Sequence, residues 1–186
     1  TYRAAERQRP LDSLRDSRKG KPLLIVGNGP SLNSTPLDKF QDVWSIGMNK
    51  IDLIYARTSW RPNLVVCANN LVARQNQDSW IAAGVPVYLS WKCRYFIRRD
   101  LRDKFSYFLS TTSTEFSTDV IEGVGSAGTV TFTALQFAYF MGADPIIIVG
   151  VDHSFSGAQD DRGYVLEKRT GIDEDHFDPH YFAHGQ

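Results

Sequence analysis

The stretch Leu23-Leu24-Ile25-Val26-Gly27-Asn28-Gly29-Pro30-Ser31-Leu32-Asn33-Ser34 decides the fold. Four apolar residues stop abruptly at two glycines, and a proline and a serine follow. An apolar run of this length bounded by turn residues is a strand buried on both faces. At its carboxyl end the chain must turn sharply, and glycine there permits positive φ and the close approach of another group to bare backbone. Pro30 suits the first turn of a helix, where its missing N–H would have had no partner. With the amides of Gly27 and Gly29 and the side chains of Asn28 and Ser31, the turn has the makings of an anion cradle. An ordinary strand-to-helix turn explains the same residues, and the stretch matches neither G-x-G-x-x-G nor the P-loop G-K-[ST]. Both readings stand at this point.

Working outward, further apolar, β-branched runs occur at 43–46, 64–68, 85–89 and 145–151, after the first at 22–26. They are separated by segments long enough for crossovers, and strands this apolar belong to a parallel sheet sandwiched between helices. The expected fold is therefore α/β: a Rossmann-like, mostly parallel sheet flanked by helices on both faces. Helices are expected over 71–82 and 129–141, the second ending at Gly142. Residues 1–20 are expected as a charged, solvated helical segment broken at Pro10, and 21–186 as one nucleotide-binding domain. The last residues are polar and motif-like, so further chain is expected beyond Gln186.

Bulk properties narrow the function. Lys plus Arg and Asp plus Glu number 21 each, a balance that argues against a nucleic-acid partner held by overall charge. Cys67 and Cys93 lack metal-ligand spacing and are too few for a disulfide framework, which favours a reducing compartment. No apolar run approaches the ~20 residues that span a bilayer. These features together predict a soluble, cytoplasmic protein. Arg94, Arg98, Arg99 and Arg102, interleaved with Tyr95, Phe96 and Ile97, fit a helix with a basic outer face and leave peripheral membrane contact open.

Two further strand ends carry amides. The second run leads into Gly47-Met48-Asn49 and the third into Asn69-Asn70, on the same edge of the sheet as Asn28. Asparagine offers a donor and an acceptor without charge, which suits a base edge or sugar hydroxyls, although helix capping explains each one singly. A second candidate cradle is Gly123 to Thr129, where Ser126, Gly128 and Thr129 precede the helix expected at 129–141. All four histidines fall between His153 and His184. His176, His180 and His184 recur every four residues, yet Pro179 interrupts the helix that a shared zinc would need, so no metal site is assigned.

Together, VGNGPSL (26–32), Met48-Asn49, the small-residue helix start, GADPIIIVGVDHSF (142–155) and HYFAHG (180–185) resemble a known superfamily. It joins bacterial sialyltransferases of the Campylobacter type to MptE-like and motility-accessory-factor domains, and the resemblance covers about Pro22 to Gly185. It implies that Gly27, Asn28, Gly29, Pro30, Ser31, Asn49, Asn69 or Asn70, Ser126, Gly128, Thr129 and Asp152 bind a nucleotide. It also implies that His184 is the catalytic base. The tyrosine pair with which those transferases hold the departing phosphate has no counterpart here, Tyr164 being the nearest phenol. The resulting expectation is an inverting glycosyltransferase of cell-surface glycan assembly, oligomeric or not. It would take a CMP-activated sugar donor and a glycan acceptor and require no cofactor. The alternatives are an MptE-like 6-hydroxymethylpterin diphosphokinase using ATP and Mg²⁺ held by carboxylates such as Asp152, and a nucleotide-binding module without catalysis.

Overall fold

A computed structural model describes residues 10–152 and 173–182. Six strands, β1 (Leu23–Val26), β2 (Ser45–Met48), β3 (Leu64–Cys67), β4 (Val87–Ser90), β5 (Ser106–Phe108) and β6 (Ile146–Val149), form one sheet in the order β5-β4-β3-β2-β1-β6. Every pairing is parallel. The expected α/β, Rossmann-like architecture is the observed one.

The alternation within each strand assigns side chains to two cores. Leu24, Val26, Val65, Cys67, Val87 and Leu89 face one layer, and Leu23, Ile25, Leu64, Val66 and Tyr88 face the other. β1 to β4 are buried along their whole length, which is why their sequences read as continuous apolar runs. Each such side chain contributes about 1.5–3 kcal/mol on leaving water.

Travel along the sheet fixes which face each connection covers. From β1 to β5 the chain moves one way, and its connections pack on the first core. They are the 3₁₀ segments Pro30–Ser34, Leu37–Phe40, Ile51–Ala56, Trp91–Tyr95 and Arg99–Lys104, together with helix α1 (Asn70–Ala83). From β5 the chain returns past four strands to β6, and helix α2 (Val130–Phe140) covers the second core. Crossovers of one hand demand this change of face when the direction of travel reverses. The reversal leaves a switch point between β1 and β6, where open α/β sheets hold their ligands.

Three expectations need correction. Residues 10–20 are not merely solvated: Leu11 and Leu14 are buried in the second core, and backbone amides of Asp16, Arg18 and Gly20 donate to Phe140, Met141 and Gly142 at the end of α2. β6 is not sealed on both faces among the described residues, as Ile147 and Ile148 are 37% and 44% exposed. The basic stretch after Trp91 forms two 3₁₀ segments rather than a striped helix, with Cys93 and Ile97 buried and Arg98 paired to Asp78 at 2.8 Å. Both cysteines are free and buried. Among the described residues no helix is long and apolar enough to cross a membrane.

Candidate functional site

A cavity of about 240 Å³ opens at the switch point, lined by the ends of β1, β2 and β6, the start of α2 and the segment 173–182. Its floor is the opening stretch of the sequence. Beyond β1 the chain stays paired with β6: the amide of Gly27 donates to the Val149 carbonyl and that of Gly29 to the Gly150 carbonyl, both at 2.8 Å. A Cβ on Gly27 would run into the Gly150 carbonyl and Val151, and one on Gly29 into the Asp152 carboxylate. The two glycines are thus required by the neighbouring strand's approach. The Ser31 amide donates to Asp152 Oδ2 at 2.8 Å, so the amide expected to hold an anion already holds this chain's own carboxylate. Pro30 and Ser31 lie outside the cavity lining.

Asn28 and Asn49 do face the cavity. Asn28 is 9% exposed; its Nδ2 donates to the Met48 carbonyl at 3.0 Å, and its buried Oδ1 has no partner among the described residues. Asn49 adopts φ +49°, a left-handed conformation that asparagine tolerates better than most residues, and its Oδ1 is likewise buried without a partner among the described residues. Two buried carbonyl oxygens at one cavity, without donors among the described residues, suit a ligand that brings N–H or O–H groups.

Of the asparagines at the third strand end, Asn69 caps a helix, and Asn70 keeps a buried Oδ1 that has no partner among the described residues but lies away from the cavity. Asn69 Oδ1 accepts from the Leu71 and Val72 amides at 2.9 and 3.2 Å, the N-cap of α1, and neither Asn69 nor Asn70 reaches the cavity.

The second expected cradle is half present. Gly128 and Thr129 line the cavity with Val130 and Thr131, whereas Ser126 does not, its amide being held by the Ser113 carbonyl at 2.7 Å. Thr129 Oγ1 caps the Phe132 amide at 3.2 Å. The amides of Val130 and Thr131, in the first turn of an 11-residue helix, lack intrahelical partners by geometry and present the positive end of its dipole. The loop before them is clamped by Gln136, which is 0% exposed. Its Oε1 accepts from Gly125 and Ser117 amides at 2.8 and 2.9 Å, and its Nε2 donates to Gly125 and Phe132 carbonyls at 3.1 and 2.9 Å. As a glutamine inside an apolar helix, Gln136 gave no sign of this role in the sequence.

The wall opposite comes from 173–182. Phe177 anchors it in the first core, its amide donating to the Asn28 carbonyl at 2.9 Å, and Lys50 Nζ donates to the Tyr181 carbonyl at 2.8 Å. Burial raises the Tyr181 phenol well above its ordinary range and lowers Lys50. This wall brings Asp175 and His176 to the cavity. His176 Nδ1 lies 3.0 and 3.1 Å from the two oxygens of Asp173, whose side chain is fully buried. Nothing in the spacing of the four histidines distinguished His176 from the others. His184 lies outside the described residues, as do His153 and Tyr164.

In charge, the cavity carries Asp152 and Asp175 and, among the described residues, no Lys or Arg in its lining. Among those residues no three His, Cys, Asp or Glu gather into a self-sufficient metal-binding group. No curated protein and no solved structure matches the chain. A family model does, over residues 2–158, which include the glycine turn, α2 and the Asp152 strand end. On that match the chain belongs to the MptE-like family, described as 6-hydroxymethylpterin diphosphokinase MptE-like.

Proposed function

We propose that this protein transfers a pyrophosphoryl group from a nucleoside triphosphate to an alcohol of the hydroxymethylpterin type, with Mg²⁺. The observation that carries this reading is the polarity of the cavity: Asp152 and Asp175 line it together with the N-terminus of α2 and with no described Lys or Arg. A polyphosphate brought bare to this cavity would meet two carboxylates. Brought with a divalent cation, it would find hard oxygen donors for the metal and first-turn amides for its oxygens. The donor set therefore fits Mg²⁺, which is usually held by one or two carboxylates and the substrate's own phosphates. When bound, the ion would neutralise phosphate charge. This chain's residues do the rest: Val130 and Thr131 amides orient phosphate oxygens, and Asn28 and Asn49 offer acceptors to the N–H groups of a base or pterin ring.

A second reading, a glycosyltransferase of sialyltransferase type using a CMP-activated sugar without metal, draws support from the same two neutral amides. Both reactions activate a hydroxyl and release a nucleoside monophosphate, so they are told apart by which one and under what conditions. The protein is incubated with ATP, CTP or a CMP-sugar and 6-hydroxymethylpterin or a glycan acceptor, with Mg²⁺ or EDTA, and the products are followed by ³¹P NMR. AMP and a pyrophosphate ester formed only with Mg²⁺ are the expected result. Release of CMP from the CMP-sugar in EDTA would overturn it in favour of glycosyl transfer. Nucleotide binding without turnover of any donor would leave a non-catalytic module.

A further inference from the structure

We propose that His176, oriented by Asp173, is the general base that deprotonates the acceptor hydroxyl, an inference that rests on reading the switch-point cavity as a transferase site. Asp173 is a carboxylate and accepts hydrogen bonds, so the ring nitrogen facing it must carry the proton. Nε2, on the far side of the ring, then holds the lone pair. The Asp173 carboxylate is itself fixed, accepting from the Asp175 amide at 3.0 Å. The imidazole stacks on Tyr181 with centroids 3.8 Å apart and planes 7° from parallel, while Phe182 packs edge-on. Its side chain is 17% exposed and lines the cavity. A ring held in one plane and one tautomer, with a buried carboxylate to stabilise the imidazolium, has the parts of an acid–base catalyst.

The step balances without further reagents. The hydroxyl proton passes to His176 Nε2 as the hydroxyl oxygen bonds to the β-phosphorus of the triphosphate. The bond from that phosphorus to the α–β bridging oxygen breaks, and its electron pair leaves with the nucleoside monophosphate. The imidazolium then returns its proton to solvent. Among the described residues, the charged and titratable groups about the ring are Asp173, Asp175 and Tyr181 on its own segment and Asp152 after β6, with Lys50 after β2 held by the Tyr181 carbonyl.

His176→Gln, Asp173→Asn and His184→Gln are assayed beside the wild type for kcat and Mg²⁺-nucleotide Kd. His176→Gln is expected to lower kcat by about 10²–10⁴-fold, with Kd changed less than about threefold. Asp173→Asn, acting through the ring, is expected to lower kcat at least about tenfold with Kd again changed less than about threefold. Retention of more than about a third of kcat by His176→Gln, with the loss appearing in His184→Gln, overturns the assignment. If the wild type turns over no donor, the functional reading fails separately, and long-range ¹H–¹⁵N NMR still decides the dyad. A neutral ring protonated at Nδ1, with an Nε2 resonance that moves when Mg²⁺-nucleotide and acceptor are added, supports it. An Nε2–H tautomer or an unmoved resonance overturns it.

Discussion

Asn28 and Asn69 sit at the ends of parallel strands two places apart in the sheet and do different work. Asn69 spends its side-chain oxygen on two amides of α1, so its value is local to that helix. Among the described residues, Asn28 spends its amide nitrogen on the Met48 carbonyl and keeps a buried oxygen unpaired. Truncation should separate them. Asn69→Ala removes a cap worth about 1 kcal/mol, lowering Tm by roughly 2–4 °C in a chain of this size while leaving nucleotide affinity unchanged. Asn28→Ala loses one hydrogen bond but also relieves a buried acceptor without a donor, and these terms oppose. The free protein should change by less than about 1 kcal/mol, while affinity for the ligand that satisfies Oδ1 falls about tenfold. Thermal melts and calorimetric titration of both variants give the two numbers. A large stability loss with unchanged affinity in Asn28→Ala would make it a structural turn residue.

At the scale of elements, β1 to β4 were legible because burial on both faces leaves little choice of residue, and the caps because Asn69, Thr129 and Gly142 carry the chemistry that helix ends require. β5 was not legible: Ser106–Phe108 is three residues long, has no β-branched side chain and follows a charged run. The 3₁₀ connections were equally opaque, since their short apolar spacing fits a helix turn or a loop. The clamp made by Gln136 illustrates a third kind of silence, as a glutamine inside an apolar helix gives no hint of the loops it holds. Four hydrogen bonds converge on that one amide group. Gln136→Leu keeps the size but leaves the Gly125 amide and carbonyl and the Ser117 amide without partners. At about 1 kcal/mol or more apiece the expected loss is roughly 3 kcal/mol, read as a lower urea midpoint at unchanged m-value. The loop that delivers Gly128 and Thr129 would loosen with it, so affinity should fall too. A near-neutral change would mean that water replaces the amide.

For the whole molecule, the cavity gathers four parts, 27–29 with 48–49, 128–131, 150–152, and 175–176 with Tyr181, which the sheet order brings together and the sequence does not. The edge was foreseeable, since strand carboxyl ends and a switch point define it. Which side chains reach it was not. Asp152 had to be seen against Ser31, and His176 against Asp173, before the site's charge and its base could be assigned. A ligand touching all four parts binds only when they are assembled, so it stabilises the folded chain as a unit. At a hundred times its Kd the gain is about 2.7 kcal/mol, or roughly 5–10 °C in Tm for a chain of this length. ATP with Mg²⁺ should give that shift, and ATP with EDTA far less, because bare triphosphate meets Asp152 and Asp175. Asp152→Asn reverses the order of effects: removing one carboxylate weakens the Mg²⁺-dependent shift and strengthens the metal-free one. Equal shifts with and without Mg²⁺ in the wild type, or a larger shift from CMP in EDTA, would remove the electrostatic basis for pyrophosphoryl transfer and move the cavity to metal-free nucleotide chemistry.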